Sequence, residues 1–251
     1  MERSSFGIVA DGPAEIVKAV RLCAREGVDT IKLNISGDGF TRARARGEMT
    51  VMRESEVRLA VEIAHDHGCR VASHSRSGLS VTRALDCGVD VIYHCEAADE
   101  SVLDRLEAAR DTIFCSPAIA PIHNALYEAE RWGLAADPVR EAGMARVMED
   151  SCRTYAEMRR RGIRVVTGGD YGFVYTPQGT NARDIELFVK LFGYSPAEAR
   201  RRAALDTRAA LRTLPESRPD ARSPRWRDVR RRTADAHDRP DPDGQSARGA
   251  A

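Results

Sequence analysis

The sequence predicts an α/β fold built on a parallel sheet. Short apolar runs alternate five times with longer amphipathic stretches, and most of the amphipathic stretches end on a glycine. That is the pattern of repeated strand–helix units. The apolar runs do not alternate with polar residues, as expected of strands covered on both faces. With 251 residues, 42% of them hydrophobic, the chain can bury one such domain or two small ones.

The elements follow in order. Ile16, Val17, Val20 and Leu22 fall at helical spacing within Ala14 to Arg25, and Gly27 stops that helix. Thr30 to Ile35 reads as a strand and Glu54 to His67 as a helix ended by Gly68. Cys69 to His74 is the second strand, Leu79 to Cys87 a helix, and Val89 to His94 the third strand. Glu100 to Ala109 is helical and Thr112 to Cys115 is the fourth strand. Two helical stretches follow, Ala125 to Trp132 and Pro138 to Arg161. Arg164 to Thr167 is the fifth strand, running into Gly168-Gly169-Asp170, and a helix covers Arg183 to Leu191. A doubly wound sheet and part of a barrel both satisfy this count.

Composition excludes several classes. No run approaches eighteen apolar residues, so no membrane-crossing helix is expected, and Met1 to Ala10 lacks the apolar stretch of a secretory signal. Six scattered cysteines without a C-x-x-C pair read as reduced thiols, and a cytoplasmic location is expected. The net charge of +1 hides a split. From Arg200 onward there are 14 arginines against 8 acids, which leaves 25 basic and 30 acidic groups before it, a net −5. Residues 1–199 therefore form the folded domain in this reading, and the Arg/Pro/Ala-rich 200–251 segment is expected to be a disordered tail. Interspersed Asp and Pro argue against nucleic-acid binding by Arg230-Arg231-Arg232.

In parallel α/β sheets the chemistry collects at the C-terminal ends of the strands. Here those ends carry Lys32, His74, His94 and Asp170. A single strand-end histidine is ordinarily a satisfied core residue. Four potential ligands at four strand ends are better explained by a site. Flanked by Ile31, Leu33 and Ile35, Lys32 is expected to be buried, where a lone ammonium needs a partner or a modification. Gly168-Gly169 before Asp170 lets the backbone approach a bound group closely.

These motifs resemble the amidohydrolase superfamily, nearest to its imidazolonepropionase-like and Xaa-Pro dipeptidase branch. The carriers are Lys32 in Ile-Lys-Leu-Asn-Ile-Ser-Gly, His74 in Val-Ala-Ser-His-Ser, His94 in Val-Ile-Tyr-His-Cys and Asp170 in Val-Thr-Gly-Gly-Asp. The resemblance runs from about Asp11 to Ala199. It implies a partial (β/α)₈ TIM barrel, strands four to eight, lacking the first three strands and the small β-domain. It also implies a divalent-metal hydrolase of C–N bonds, with zinc the expected metal and two metals in the complete family. On the same grounds Lys32 would be carbamylated and bridge the metals, and His74 and His94 would bind the second metal. Asp170 would bind the first metal and act as the catalytic base. The chemistry agrees: a carbamate turns a buried cation into an anion, and imidazole and carboxylate ligands with an open position describe a hydrolytic centre.

Two departures stand out. The family's His-x-His pair for the first metal is not found. The chain's own His65-Asp66-His67 lies at a helix end, where residues two apart point in different directions. Past Ala199 the sequence turns abruptly into the Arg-rich tail, an expectation of truncation or of a frameshift. An inactive remnant is therefore one alternative function, and a Schiff-base lyase using Lys32 another. Tyr93, His123 and Tyr171 are candidate substrate contacts, in the company of Arg42, Arg44, Arg46, Tyr127, Trp132, Tyr175 and Asn181. The partner expected is a small-molecule substrate, with open sheet edges leaving self-association into a homo-oligomer available.

Overall fold

The computed structural model describes residues 3–4, 7–37, 49–128, 130–133, 138–206 and 210. The chain divides into two compact units, Met1–Leu214 and Pro215–Ala251. The second unit lies outside the described residues, as does most of the expected tail. Arg42, Arg44 and Arg46 lie outside them as well.

A two-residue antiparallel pair, β1 (Arg3–Ser4) and β2 (Gly7–Ile8), precedes α1 (Pro13–Arg25). Then β3 (Thr30–Asn34), α2 (Glu54–Asp66), β4 (Arg70–Ser75), α3 (Gly78–Asp86), β5 (Val91–His94), α4 (Glu100–Ala108) and β6 (Phe114–Ser116) alternate as read from sequence. Local chemistry sets the helix starts. Ser77 Oγ accepts the Ser80 N–H ahead of α3, and an Asp99 oxygen accepts the Val102 N–H ahead of α4. Gly88, at φ +79°, ends α3 in the left-handed region that glycine occupies without strain.

The four strands form one parallel sheet in the order β3-β4-β5-β6, compatible with part of an α/β barrel. Strand neighbours in sequence are neighbours in space, without a switch in strand order. The fifth strand is reduced to a single parallel bridge, Cys115 to Val165. Helices α5 (Ala120–Tyr127), α6 (Pro138–Arg160), α7 (Arg183–Phe192) and α8 (Pro196–Arg201) complete the described elements, with a 3₁₀ turn at Glu130–Trp132 and a π turn at Arg202–Asp206. The expected Ala125 to Trp132 helix is thus two pieces, α5 beginning five residues earlier at Ala120 with Pro121 in its first turn.

Residue alternation along the strands splits the core. Ile31, Leu33, Val71 and Ile92 face the helices and pack with Ile16, Val20, Val57, Val61, Leu103 and Leu106 in the large core. Ala72, Val91, Phe114 and Val166 form a second, smaller cluster with Ala210, and Tyr93 packs against it. The Arg70 guanidinium, at the start of β4, donates to the Ala210 carbonyl. None of the described helices is long and apolar enough to cross a membrane.

Candidate active site

Strand register places Lys32 in the middle of β3, not at its end as expected, and His74 and His94 toward the C-terminal ends of β4 and β5. Lys32 is paired with Ala72, Asn34 with His74, and His74 with Tyr93, all on the face opposite the helices. The expected burial of Lys32 is not observed. Lys32 is exposed, because β3 is an outer strand of the described sheet and its pattern is strictly alternating, Ile31 and Leu33 in, Lys32 and Asn34 out. The apolar neighbours in sequence cover the other face. Its ammonium does not float free: Lys32 Nζ lies 4.7 Å above the Tyr93 ring.

His94 is the least ordinary residue of the site. It is 1% exposed, and among the described residues neither ring nitrogen makes a well-formed hydrogen bond, the Pro117 carbonyl being the polar group against the ring. Burial, followed by the Arg76, His74 and Lys32 charges, holds its imidazole well below the usual range, so the ring is neutral, and the nearby Pro117 carbonyl only partly opposes this. By strand alternation His94, paired with Ser75, belongs on the helix side of the sheet, opposite Tyr93 and His74. Its ring nevertheless stands edge-on to His74 with centroids 4.3 Å apart. The backbone accounts for this: His94 and Cys95 have φ of +80° and +55°, a left-handed turn that breaks the alternation. Tyr155, fully buried on α6, donates its hydroxyl to the His94 carbonyl at 2.7 Å and holds the turn in place.

Strained backbone recurs at the same edge. Ala118 and Asp170 also have positive φ, +47° and +48°, and such conformations cluster at working sites. His74, 7% exposed, makes a 2.9 Å contact from Nε2 to the Gly37 carbonyl. Behind the two histidines lies a buried ion pair: Arg76 Nη1 donates to Glu96 at 2.5 Å, the two residues 8% and 5% exposed. Burial raises the Glu96 carboxyl and Arg76 pulls it back. Each partner follows a histidine by two residues, so the pair braces both loops.

Asp170 is half-buried beyond Gly168-Gly169. Its charge, after burial, raises the Tyr93 phenol, which puts Lys32, Tyr93 and Asp170 within electrostatic reach of one another. The glycines before it are required by packing. A Cβ on Gly168 would come within 2.6 Å of Ser116 Oγ, and one on Gly169 within 2.6 Å of an Asp184 carboxylate oxygen. Asp184, in the first turn of α7 and 3% exposed, was not singled out from sequence. An acid at a helix start ordinarily complements the helix dipole. Here it is buried and accepts a 3.0 Å hydrogen bond from the Tyr171 hydroxyl. Burial lifts its carboxyl to about 6, against the lowering by Tyr171 and the Gly168 N–H.

The other candidates lie around this edge. The Tyr171 hydroxyl is engaged by Asp184. His123 on α5 contacts Asn124 Oδ1 through Nδ1 at 3.2 Å, with its ring 5.1 Å from Tyr127, and burial lowers its imidazole. Asn124 donates to the Tyr175 carbonyl at 2.7 Å and Arg183 pairs with Glu128, tying α5 to the segment after Asp170. His65 takes no part, its Nε2 lying 2.9 Å from Asp90.

Among the described residues no group of three or more His, Cys, Asp or Glu is close enough to hold an ion. His94 is the observation in favour of one, a buried imidazole without a well-formed hydrogen bond among the described residues, beside a second imidazole and a lysine.

No protein-family model matches the chain. Ochratoxinase from Aspergillus niger is 24% identical over 191 residues, 76% of this chain and 38% of that protein. The crystal structure of that ochratoxinase superposes with a TM-score of 0.71 at 22% identity, over 84% of this chain and 47% of the other. A Xaa-Pro dipeptidase with bound methionine gives 0.68 at 23%, over 84% and 52%, and an amidohydrolase 0.68 at 24%, over 82% and 48%. The chain shares the fold of these solved structures. The chain spans about 38% of the length of the curated relative and about half of the solved ones. The family resemblance read from the strand-end motifs is supported by these likenesses.

Proposed function

We propose that this chain carries part of the active site of a metal-dependent hydrolase that cleaves C–N bonds (amide, carbamate or dipeptide) in a small-molecule substrate. The observation that carries the reading is His94, buried against His74 with no well-formed hydrogen bond to either ring nitrogen among the described residues. Burying ring nitrogens without well-formed hydrogen bonds costs free energy that a ligated cation would repay. In this reading β3, β4, β5 and the 164–167 run correspond to strands four, five, six and eight of a (β/α)₈ barrel. His74, His94 and a carbamylated Lys32 hold the divalent cation, with zinc the expected ion. When bound, the cation polarises the scissile carbonyl and brings water ionisation near neutrality.

The chain's own groups supply the rest. Asp170 takes the proton of the attacking water and returns it to the leaving nitrogen. Tyr93, half-buried between Lys32 and Asp170, borders the place of the scissile group, with His123 and Tyr171 farther out. The buried Arg76–Glu96 pair holds the loops after both histidines. The paired histidines that the resemblance gives to a first metal are not among the described residues, so these donors account for one metal position.

The test is zinc retention by mass spectrometry after dialysis, in wild type, Lys32→Ala and His94→Ala. The two variants are expected to lose the ion, and short carboxylic acids to restore part of it in Lys32→Ala. Where turnover of N-acyl amino acids or dipeptides is measurable, Asp170→Asn should lower kcat by about 10²–10⁴-fold with KM little changed. Full zinc content in both ligand variants would refute the assignment.

A further inference from the structure

We propose that Asp184 is a positioning residue for Asp170, its carboxylate clamping the turn from both sides so that the catalytic carboxylate is presented in one conformation. On one side of Asp170, the Tyr171 hydroxyl donates to Asp184 at 3.0 Å. On the other, the Gly168 N–H faces the same carboxylate. Between them Gly169 sits against it so closely that a Cβ there would meet both Asp184 Oδ1, at 2.6 Å, and the Tyr171 ring. The acid therefore touches the residues flanking Asp170 on each side.

Such a clamp has something to hold. Asp170 sits at φ +48°, a backbone state that L residues occupy at a cost and keep only when their surroundings fix it. Other bonds of the segment are to β6, where Ser116 Oγ donates to the Gly168 carbonyl at 3.3 Å, and to the chain downstream: Thr176 Oγ1 donates to the Asp170 carbonyl at 3.3 Å, Gln178 Nε2 to the Tyr171 carbonyl at 2.8 Å, and the Gly172 N–H to the Thr176 carbonyl at 2.8 Å. Asp184 ties the turn to α7. Its place in the first turn of α7 explains why a carboxylate is tolerated at 3% exposure: the helix N-terminus and two donors offset part of the desolvation. Leucine or alanine would be a better core residue if packing were the only demand. The catalytic meaning of the clamp rests on the reading of Asp170 given above, whereas the clamp itself does not.

Two measurements separate these. The first is amide hydrogen exchange of the metal-free protein, comparing residues 167–172 with Arg70–Ser75 of β4. Removing a hydrogen-bonded charged acceptor should speed exchange in 167–172 by about tenfold in Asp184→Ala. Tyr171→Phe should speed it less. Asp184→Asn, which keeps an acceptor oxygen, should stay near wild type, and β4 should not change. Unchanged exchange of 167–172 in both Asp184→Ala and Tyr171→Phe, or an equal rise in β4, would overturn the clamp. Should Asp184→Ala fail to fold, Tyr171→Phe alone decides. The second is cobalt(II) titration followed by visible absorption. Asp184→Ala is expected to alter the spectrum in the same direction as Asp170→Asn, and Asp184→Asn to restore it. An altered spectrum in Asp170→Asn with none in Asp184→Ala overturns the positioning role. No cobalt spectrum in wild type refutes the hydrolase reading and leaves the clamp to the exchange result.

Discussion

Asp184→Asn should make the protein more stable at pH 8 and leave its stability nearly unchanged near pH 3.5. The carboxyl is raised from an ordinary 3.8 to about 6, chiefly by burial. Between those values the folded protein keeps a proton that the unfolded chain has released. A raised group stabilises the fold fully below 3.8 and loses that contribution as pH rises through about 6. The shift is about two units at about 1.4 kcal/mol each, so wild type should lose about 3 kcal/mol across this window. Asparagine fills the same space, keeps an acceptor for Tyr171 and does not titrate, so it escapes the loss. Urea denaturation of both proteins between pH 3.5 and 8 measures the difference. With a slope of roughly 1–3 kcal/mol/M, the variant's midpoint at pH 8 should lie about 1–3 M higher. Titrations of distant acids cancel in the comparison. An asparagine variant that is less stable at pH 8, or a difference that does not change with pH, would refute the reasoning. A stabilising substitution at this position is what a residue retained for function rather than for packing should give.

Two further substitutions test the site's supports. Glu96→Ala strands the buried Arg76 guanidinium and should cost about 3–5 kcal/mol, whereas Arg76→Met with Glu96→Leu should cost much less. At about 2–4 °C per kcal/mol for a domain of this size, thermal unfolding should show the single variant about 6–20 °C lower. Gly169→Ala drives a methyl into Asp184 and the Tyr171 ring and should cost about 1–3 kcal/mol by calorimetry. The same change at exposed Gly7, whose Cβ would meet nothing, is the control.

The order of strands and helices was legible in the chain, because apolar period and glycine stops are local properties. So was the placing of His74 and His94 toward the ends of β4 and β5, since a parallel sheet puts every C-terminal end on one side, whereas Lys32 stands in the middle of β3. The family resemblance rested on these three residues and Asp170 alone. The rest depended on contacts between distant parts of the chain. Lys32 looked buried from its neighbours, yet its exposure was decided by which face of an outer strand it occupies. Period-two alternation assigns His94 to the helix side. Only a left-handed turn, held by Tyr155 some sixty residues later, brings its ring to His74. Asp184 reads in sequence as an ordinary acid at a helix start. Its burial against Gly169 and Tyr171 follows from where α7 docks on the strand ends, and no local pattern encodes that docking. Sequence therefore determined which groups stand at the edge of the sheet, and tertiary structure decided which of them are buried, neutral and aimed at one another. The physical reason is that burial and strained backbone are set by packing partners far away in the chain.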